Sequence, residues 1–299
     1  MKALVGEREQ RDIELLVVKI LRDLGNPEPP LRLEQVRDLL SLDLTYYSTT
    51  DVGPLAEVAH RMKVAGKQLL QRPGLMLDVL KKAKLSGLWL PDDRRIFIDK
   101  EVPSAKHRWI EAHEITHSFV PWHSEFLLGD DELTLDPSCH SMIEAEANFG
   151  AGRLLFFGDQ FARDAMDCVP TFKSIKSLQS RYGNTLTSTF WRFVEDRDPM
   201  VASFGLLSNH PNHPAIGTDS DGNSVRKLVV SEGFRSRFPH IGPTHIYEIV
   251  ARNASWSRRG PVVDGVDILV DVTGEPARFV LDGFCNSYQV LTYGRCITS

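Results

Sequence analysis

The stretch KHRWIEAHEITHSFV, residues 106–120, carries the pattern on which both fold and chemistry turn. It holds no glycine or proline, so one helix runs through it, and inside it stands His113-Glu114-Ile115-Thr116-His117. Residues four apart lie one above the other on a helix, so the two imidazoles converge on a single metal ion. Glu114, about 100° around the axis, reaches the water such an ion would hold. A second helical stretch, Met142–Phe149, supplies a third ligand. There Glu144 and Asn148 share one face, Glu144 as the carboxylate ligand and Asn148 to orient a bound histidine. Glu146 lies about 200° from Glu144 around that helix and cannot serve equally. His123, six residues after His117, is the rival ligand, at the spacing of the pattern H-E-x-x-H-x-x-G-x-x-H. Val120 occupies the glycine position of that pattern, and a β-branched residue disfavours the positive φ of such a turn. His123 thus stands open between ligand, hydrogen-bonding support behind a ligand or donor to the transition state, and plain loop residue.

Outward from this centre, the 299 residues suffice for one large domain or two ordinary ones. A 42% hydrophobic and 25% charged composition is that of a folded globular chain, and a formal charge of -5 excludes a global positive field for nucleic acid or anionic membranes. The first residues, Met1 to Glu9, lack a secretory apolar region, and no apolar run approaches the roughly 18 to 20 residues that cross a bilayer. Cys139, Cys168, Cys285 and Cys296 are too scattered for a disulfide framework. The expectation is a cytoplasmic protein without membrane partners.

Ile13, Leu16, Val17, Ile20, Leu21 and Leu24 form one stripe of an amphipathic helix closed by Gly25. A short helix follows at Leu33–Leu40 and a strand at Leu42–Tyr47; residues 54–84 read as helical. Ser86–Leu90 and Arg95–Asp99, joined by Pro91-Asp92-Asp93, read as a hairpin. Helices are expected at 104–120, 141–157, 170–182 and 185–195. Beyond residue 199 the pattern turns to strands: Val201–Leu207, Lys227–Val230, Tyr247–Arg252, Val266–Val272, Arg278–Leu281 and Tyr288–Tyr293. The expected architecture is α+β: a mainly helical, zincin-like domain with a small sheet over residues 1–198, then a β-rich domain over 199–299.

The hairpin followed by Arg108–His117 and the block Glu144-Ala145-Glu146-Ala147-Asn148-Phe149-Gly150-Ala151-Gly152-Arg153-Leu154-Leu155 together resemble the ImmA/IrrE family of metallopeptidases. The likeness covers roughly residues 10–198. Three positions depart from the family pattern: Thr116 replaces a glycine, Glu111 an apolar residue, and Phe156-Phe157 a Met-Pro pair. The resemblance implies peptide hydrolysis at one Zn2+ held by His113, His117 and Glu144, with Glu114 as the base; Mn2+ or Fe2+ suits the same donors. His123 and His140 are the candidates for stabilising the oxyanion. Ile96, Phe97 and Ile98 are expected to align an extended substrate by strand addition. Relatives cut helix-turn-helix repressors in stress, DNA-damage or mobile-element responses, and some carry a GAF-like sensory domain at the C-terminus. A repressor substrate is therefore the expected partner.

The competing reading is a non-catalytic, antitoxin-like regulator that keeps the peptidase fold and binds DNA or a partner. Residues 170–195 form a helix–turn–helix unit with Lys173, Lys176, Arg181 and Arg192, although such pairs are common scaffolding. His210, His213, His240 and His245 lie in stretches whose spacing does not converge them on a second metal. Cys285 and Cys296 read as buried thiols.

Overall fold

The computed structural model describes residues 5–48, 86–90, 94–123, 137–212, 224–257, 259–286 and 289–297, and only the backbone of residues 88, 90 and 137–140. The chain divides into two compact units, Met1–Gly158 and Asp159–Ser299. The expected helix at 54–84 and the Pro91-Asp92-Asp93 turn lie outside the described residues.

In the first unit, α1 (Glu7–Asp23) buries Ile13, Val17, Ile20 and Leu21, the stripe that the sequence periodicity marks. Its end is closed by a bond from the Asn26 N–H to the Leu21 carbonyl, with Gly25 in the left-handed conformation. After α2 (Leu33–Leu40), strands β1 (Asp43–Tyr47), β2 (Gly87–Leu90) and β3 (Arg95–Asp99) form a small sheet in the order β1-β3-β2. β3 is its middle strand, parallel to β1 and antiparallel to β2. Ile96, Phe97 and Ile98 are buried within it. This corrects the expectation that they receive a substrate strand: both edges of β3 already hold partners, so no further strand can add to it. The strand beside the chemistry with only one neighbour among the described residues is β2.

Helices α3 (Ser104–Phe119) and α4 (Pro137–Leu155) form the centre of this unit, with α1 against α4 and the small sheet against α3. Two of the departures from the family pattern find a physical reason here. Glu111, buried on α3, accepts a hydrogen bond from Arg37 Nε of α2 at 2.8 Å, so its charge is paired rather than stranded. Thr116 is fully buried, its hydroxyl bonded back to the Ala112 carbonyl at 2.8 Å. Opposite it stands Gly150 of α4, where an added Cβ would come within 2.4 Å of Thr116 Cγ2. Gly150 of α4 is the glycine that lets the two helices approach at this point.

In the second unit, α5 (Gln160–Met166), α6 (Phe172–Tyr182) and α7 (Leu186–Asp196) precede a five-stranded antiparallel sheet, β4 (Ser203–Asn209), β5 (Val225–Val230), β6 (Arg259–Val270), β7 (Pro276–Asn286) and β8 (Gln289–Ile297), in the order β5-β4-β8-β7-β6. Between β5 and β6 lie α8 (Glu232–Arg237) and α9 (Pro243–Arg252). One face of the sheet packs Phe204, Leu206, Phe279 and Leu281 with Phe234, Phe238, Ile246 and Ile249 of these two helices. On the other face Phe172 stacks on Phe284 and its N–H donates to Asp282 at 2.9 Å, while Phe193 meets Tyr293 edge-on.

The compact units divide at Gly158/Asp159 rather than at the residue 198 expected for the domains, and α6 and α7 place aromatic residues on the C-terminal sheet. The expected strand at Tyr247–Arg252 is a helix. Pro243 stands at its first turn, and Ile246, Ile249 and Val250 are buried at a helical period despite their β-branched character. Helix α8 was not foreseen; Ser231 caps it by accepting from the Phe234 N–H.

Gly150→Ala is expected to destabilise the chain by about 1–3 kcal/mol. Thr116→Ala in the same chain, by removing the clashing γ atoms, is expected to recover most of that loss. Urea denaturation of the two single variants and the double variant measures the coupling.

Candidate metal centre

The approach of α3 and α4 brings His113, His117 and Glu144 together, and their ligand atoms all lie within 4.8 Å of one another. His113 Nε2 stands 3.2 Å from His117 Nε2 and 3.2 Å from Glu144 Oε2, and His117 Nε2 stands 3.6 Å from Glu144 Oε1. A tetrahedral ion with bonds of about 2.0–2.1 Å spaces its ligand atoms ~3.3 Å apart. The donor set therefore fits a zinc-sized ion in both chemistry and spacing. The Glu144 side chain is 42% exposed and that of His117 6%, so the position the donors surround opens to the outside through the carboxylate side.

Asn148, one turn beyond Glu144, donates to the Glu144 carbonyl at 2.8 Å, receives Trp109 Nε1 at 3.4 Å and hydrogen-bonds His113. His123 is fully buried and lies behind His117, Nδ1 to Nδ1 at 3.0 Å. It is thus turned to the ring nitrogen of His117 opposite the one that faces Glu144, away from both the ligand and the oxyanion positions considered for it. Val120 has φ -84°, so the chain makes no left-handed turn there that would bring His123 round to the ion. The side chain of His140 lies outside the described residues.

Glu114 sits 7% exposed beneath β2 and accepts a backbone hydrogen bond from Trp89. Gly87 makes room for it: a Cβ there would lie 2.6 Å from Glu114 Oε1. Burial raises the Glu114 carboxyl to about 7, with the His113 charge and the Trp89 N–H opposing and the Glu144 charge adding. The Glu144 carboxyl moves the other way, well below the usual carboxylate range, chiefly through its hydrogen bond with His113, with the His117 ring at 3.6 Å adding to it. Burial draws His117 down to about 4 and also pulls on His113, but for His113 the Glu144 hydrogen bond and the neighbouring carboxylates outweigh it and the net shift is upward. A neutral His117, an ionised Glu144 and a carboxyl poised near neutrality are the protonation states that metal binding and proton transfer require.

No protein-family model matches the chain. The radiation response metalloprotease IrrE of Deinococcus deserti is 24% identical over 165 residues, 52% of this chain and 54% of that protein. This likeness supports a relationship to the ImmA/IrrE family. The likeness to IrrE spans about half of each protein. A transcriptional regulator of Mycobacterium tuberculosis shares the fold, with a TM-score of 0.52 at 10% identity over 96% of this chain and 88% of that one.

Sequence reasoning weighed Glu146 only as a rival to Glu144 and missed its contact with His123, along with Trp122, Trp109 and Trp89. A glutamate on the far face of α4 reads as solvent-facing, and only its burial shows that it needs partners. Among the described residues, His113, His117 and Glu144 are the group placed to hold an ion, and His240 bonds the Val270 carbonyl. His213 lies outside the described residues. Cys285 and Cys296 are buried thiols outside any disulfide, as expected.

An unfolded glutamate carboxyl ionises near 4.5, so between that pH and about 7 the unfolded chain releases a proton that folded Glu114 keeps. Stability of the metal-free protein must then fall as pH rises through this window. Glu114→Gln is expected to match the wild type near pH 5 and to exceed it at pH 8 by up to about 3 kcal/mol. Thermal and urea unfolding in excess chelator at the two pH values compare the chains.

Proposed function

We propose that the chain is a zinc-dependent endopeptidase that acts on a protein substrate in the cytoplasm. The observation that carries this reading is the tetrahedral spacing of His113, His117 and Glu144 beside a buried Glu114 poised near neutrality. Its kinship with a metalloprotease supports it. When bound, the ion supplies Lewis-acid activation of water and of the scissile carbonyl. Glu114 takes the proton of the attacking water and hands it to the leaving amine, a task suited to a carboxyl titrating near the working pH. Asn148 and its Trp109 partner hold His113 in place, and β2 offers the backbone edge along which an extended substrate segment is laid.

The substrate we propose is a helix-turn-helix transcriptional repressor, cut to release a stress, DNA-damage or mobile-element response, with the second unit as its regulatory or docking part. Among the described residues no helix is long and apolar enough to cross a membrane.

Reading of DNA by residues 170–195 finds little support. Arg181 pairs with Asp164 at 3.3 Å, Arg192 with Asp196 at 3.3 Å, and Lys176 lies over the Phe284 ring. Three of the four cations named for this role are thus engaged within their own unit.

Protein purified without added metal is expected to carry about one metal ion per chain by elemental analysis, lost in a His113→Ala/His117→Ala double variant. Glu114→Gln is expected to keep the ion and lose at least ~10²-fold in cleavage of a helix-turn-helix repressor. Absence of metal in the wild type, even after zinc is supplied, overturns the reading.

A further inference from the structure

Behind His117 runs a chain of buried hydrogen bonds that the peptidase reading does not use. His117 Nδ1 meets His123 Nδ1 at 3.0 Å, and His123 Nε2 meets Glu146 Oε2 at 2.9 Å. The same Glu146 oxygen receives Trp122 Nε1 at 2.6 Å. His123 is fully buried and Glu146 is 4% exposed. The links come from three places in the sequence: His117 at the end of α3, Trp122 and His123 just beyond it, and Glu146 on α4.

We infer that Glu146, acting through His123, is a positioning residue that fixes the tautomer of His117 and so presents a bare Nε2 to the metal. Trp122 Nε1 can only donate, so the Glu146 oxygen it shares with His123 is an acceptor toward both neighbours. His123 therefore carries a hydrogen on Nε2, and in the neutral ring its Nδ1 is bare. A bare Nδ1 on His123 can meet His117 Nδ1 only if His117 carries its hydrogen there. His117 Nε2, 3.2 Å from His113 Nε2 and 3.6 Å from Glu144 Oε1, is then left with its lone pair toward the ion position. The opposite order of hydrogens would set the bare Nε2 of His123 against a carboxylate oxygen, two acceptors in contact inside the protein. Trp122 pins the oxygen that sets this direction. The role differs from that of Asn148, which serves His113, so each histidine has its own support.

This inference rests on the metal-site reading, and the experiment separates the two. Zinc affinity is measured by competition with a chromophoric chelator for the wild type, Glu146→Leu, His123→Phe and His123→Gln, with circular dichroism to confirm folding. Loss of the outer partner is expected to weaken zinc about 10- to 100-fold in Glu146→Leu and His123→Phe. His123→Gln, whose amide offers an acceptor and a donor, is expected to lose less. Unchanged affinity in both apolar variants overturns the relay. Long-range ¹H–¹⁵N spectra of the metal-free wild type give the second readout, with the hydrogen expected on Nδ1 of His117 and on Nε2 of His123. A His117 ring protonated at Nε2 overturns the relay. This spectrum needs no variant and no bound ion, so it decides even where a substituted chain fails to fold. A wild type that binds no zinc but shows the expected tautomers sinks the peptidase reading and leaves the relay standing.

Discussion

Helices α3 and α4 approach closely where Thr116 faces Gly150, and the geometry of the first unit follows from that contact. The methyl and hydroxyl of Thr116 fill the space a side chain at position 150 would need. Six residues before Gly150 along α4 stands Glu144, and on α3 His113 and His117 flank Thr116. Holding the two backbones together at this point therefore sets the distance from the carboxylate to both imidazoles. A spacing of 3.2 to 3.6 Å leaves little slack, since a shift of a single ångström between the helices would spoil the tetrahedral arrangement.

Three carboxyl groups lie within this small region, and their surroundings give each a different task. Glu144 is half open and held ionised by two imidazoles. Glu114 is sealed under β2, where burial keeps its proton to about pH 7. Glu146 is enclosed by Trp122 and His123 and serves as an acceptor for both. The residue type is common to all three; solvent access and the partners within reach separate them. The cost of burying Glu114 is the kind of local instability that a functional group imposes on its fold.

The second unit is organised by aromatic packing on both faces of its sheet. Phe204, Phe234, Phe238 and Phe279 interlock on one side, while Phe172, Phe284, Phe193 and Tyr293 meet on the other. This is why α6 and α7, which in sequence continue the helical first half, belong in space to the strands that follow them. A composition shift at residue 199 marks a change of secondary structure, and the compact units divide earlier, at Gly158.

The sequence by itself determined the elements with strong local periodicity: the stripe of α1, the short α2, the β2 and β3 strands, and the helix carrying His113, Glu114 and His117. It also placed Glu144 and Asn148 on one face of α4, because spacing along a helix is a local property. Tertiary structure alone decided what depends on neighbours distant in sequence. It made β3 a middle strand, turned Tyr247–Arg252 into a helix against its β-branched composition, and moved α6 and α7 into the second unit. It also swung His123 behind His117 and gave the buried Glu146 its partners. Burial and pairing arise between segments tens of residues apart, and no local pattern carries that information.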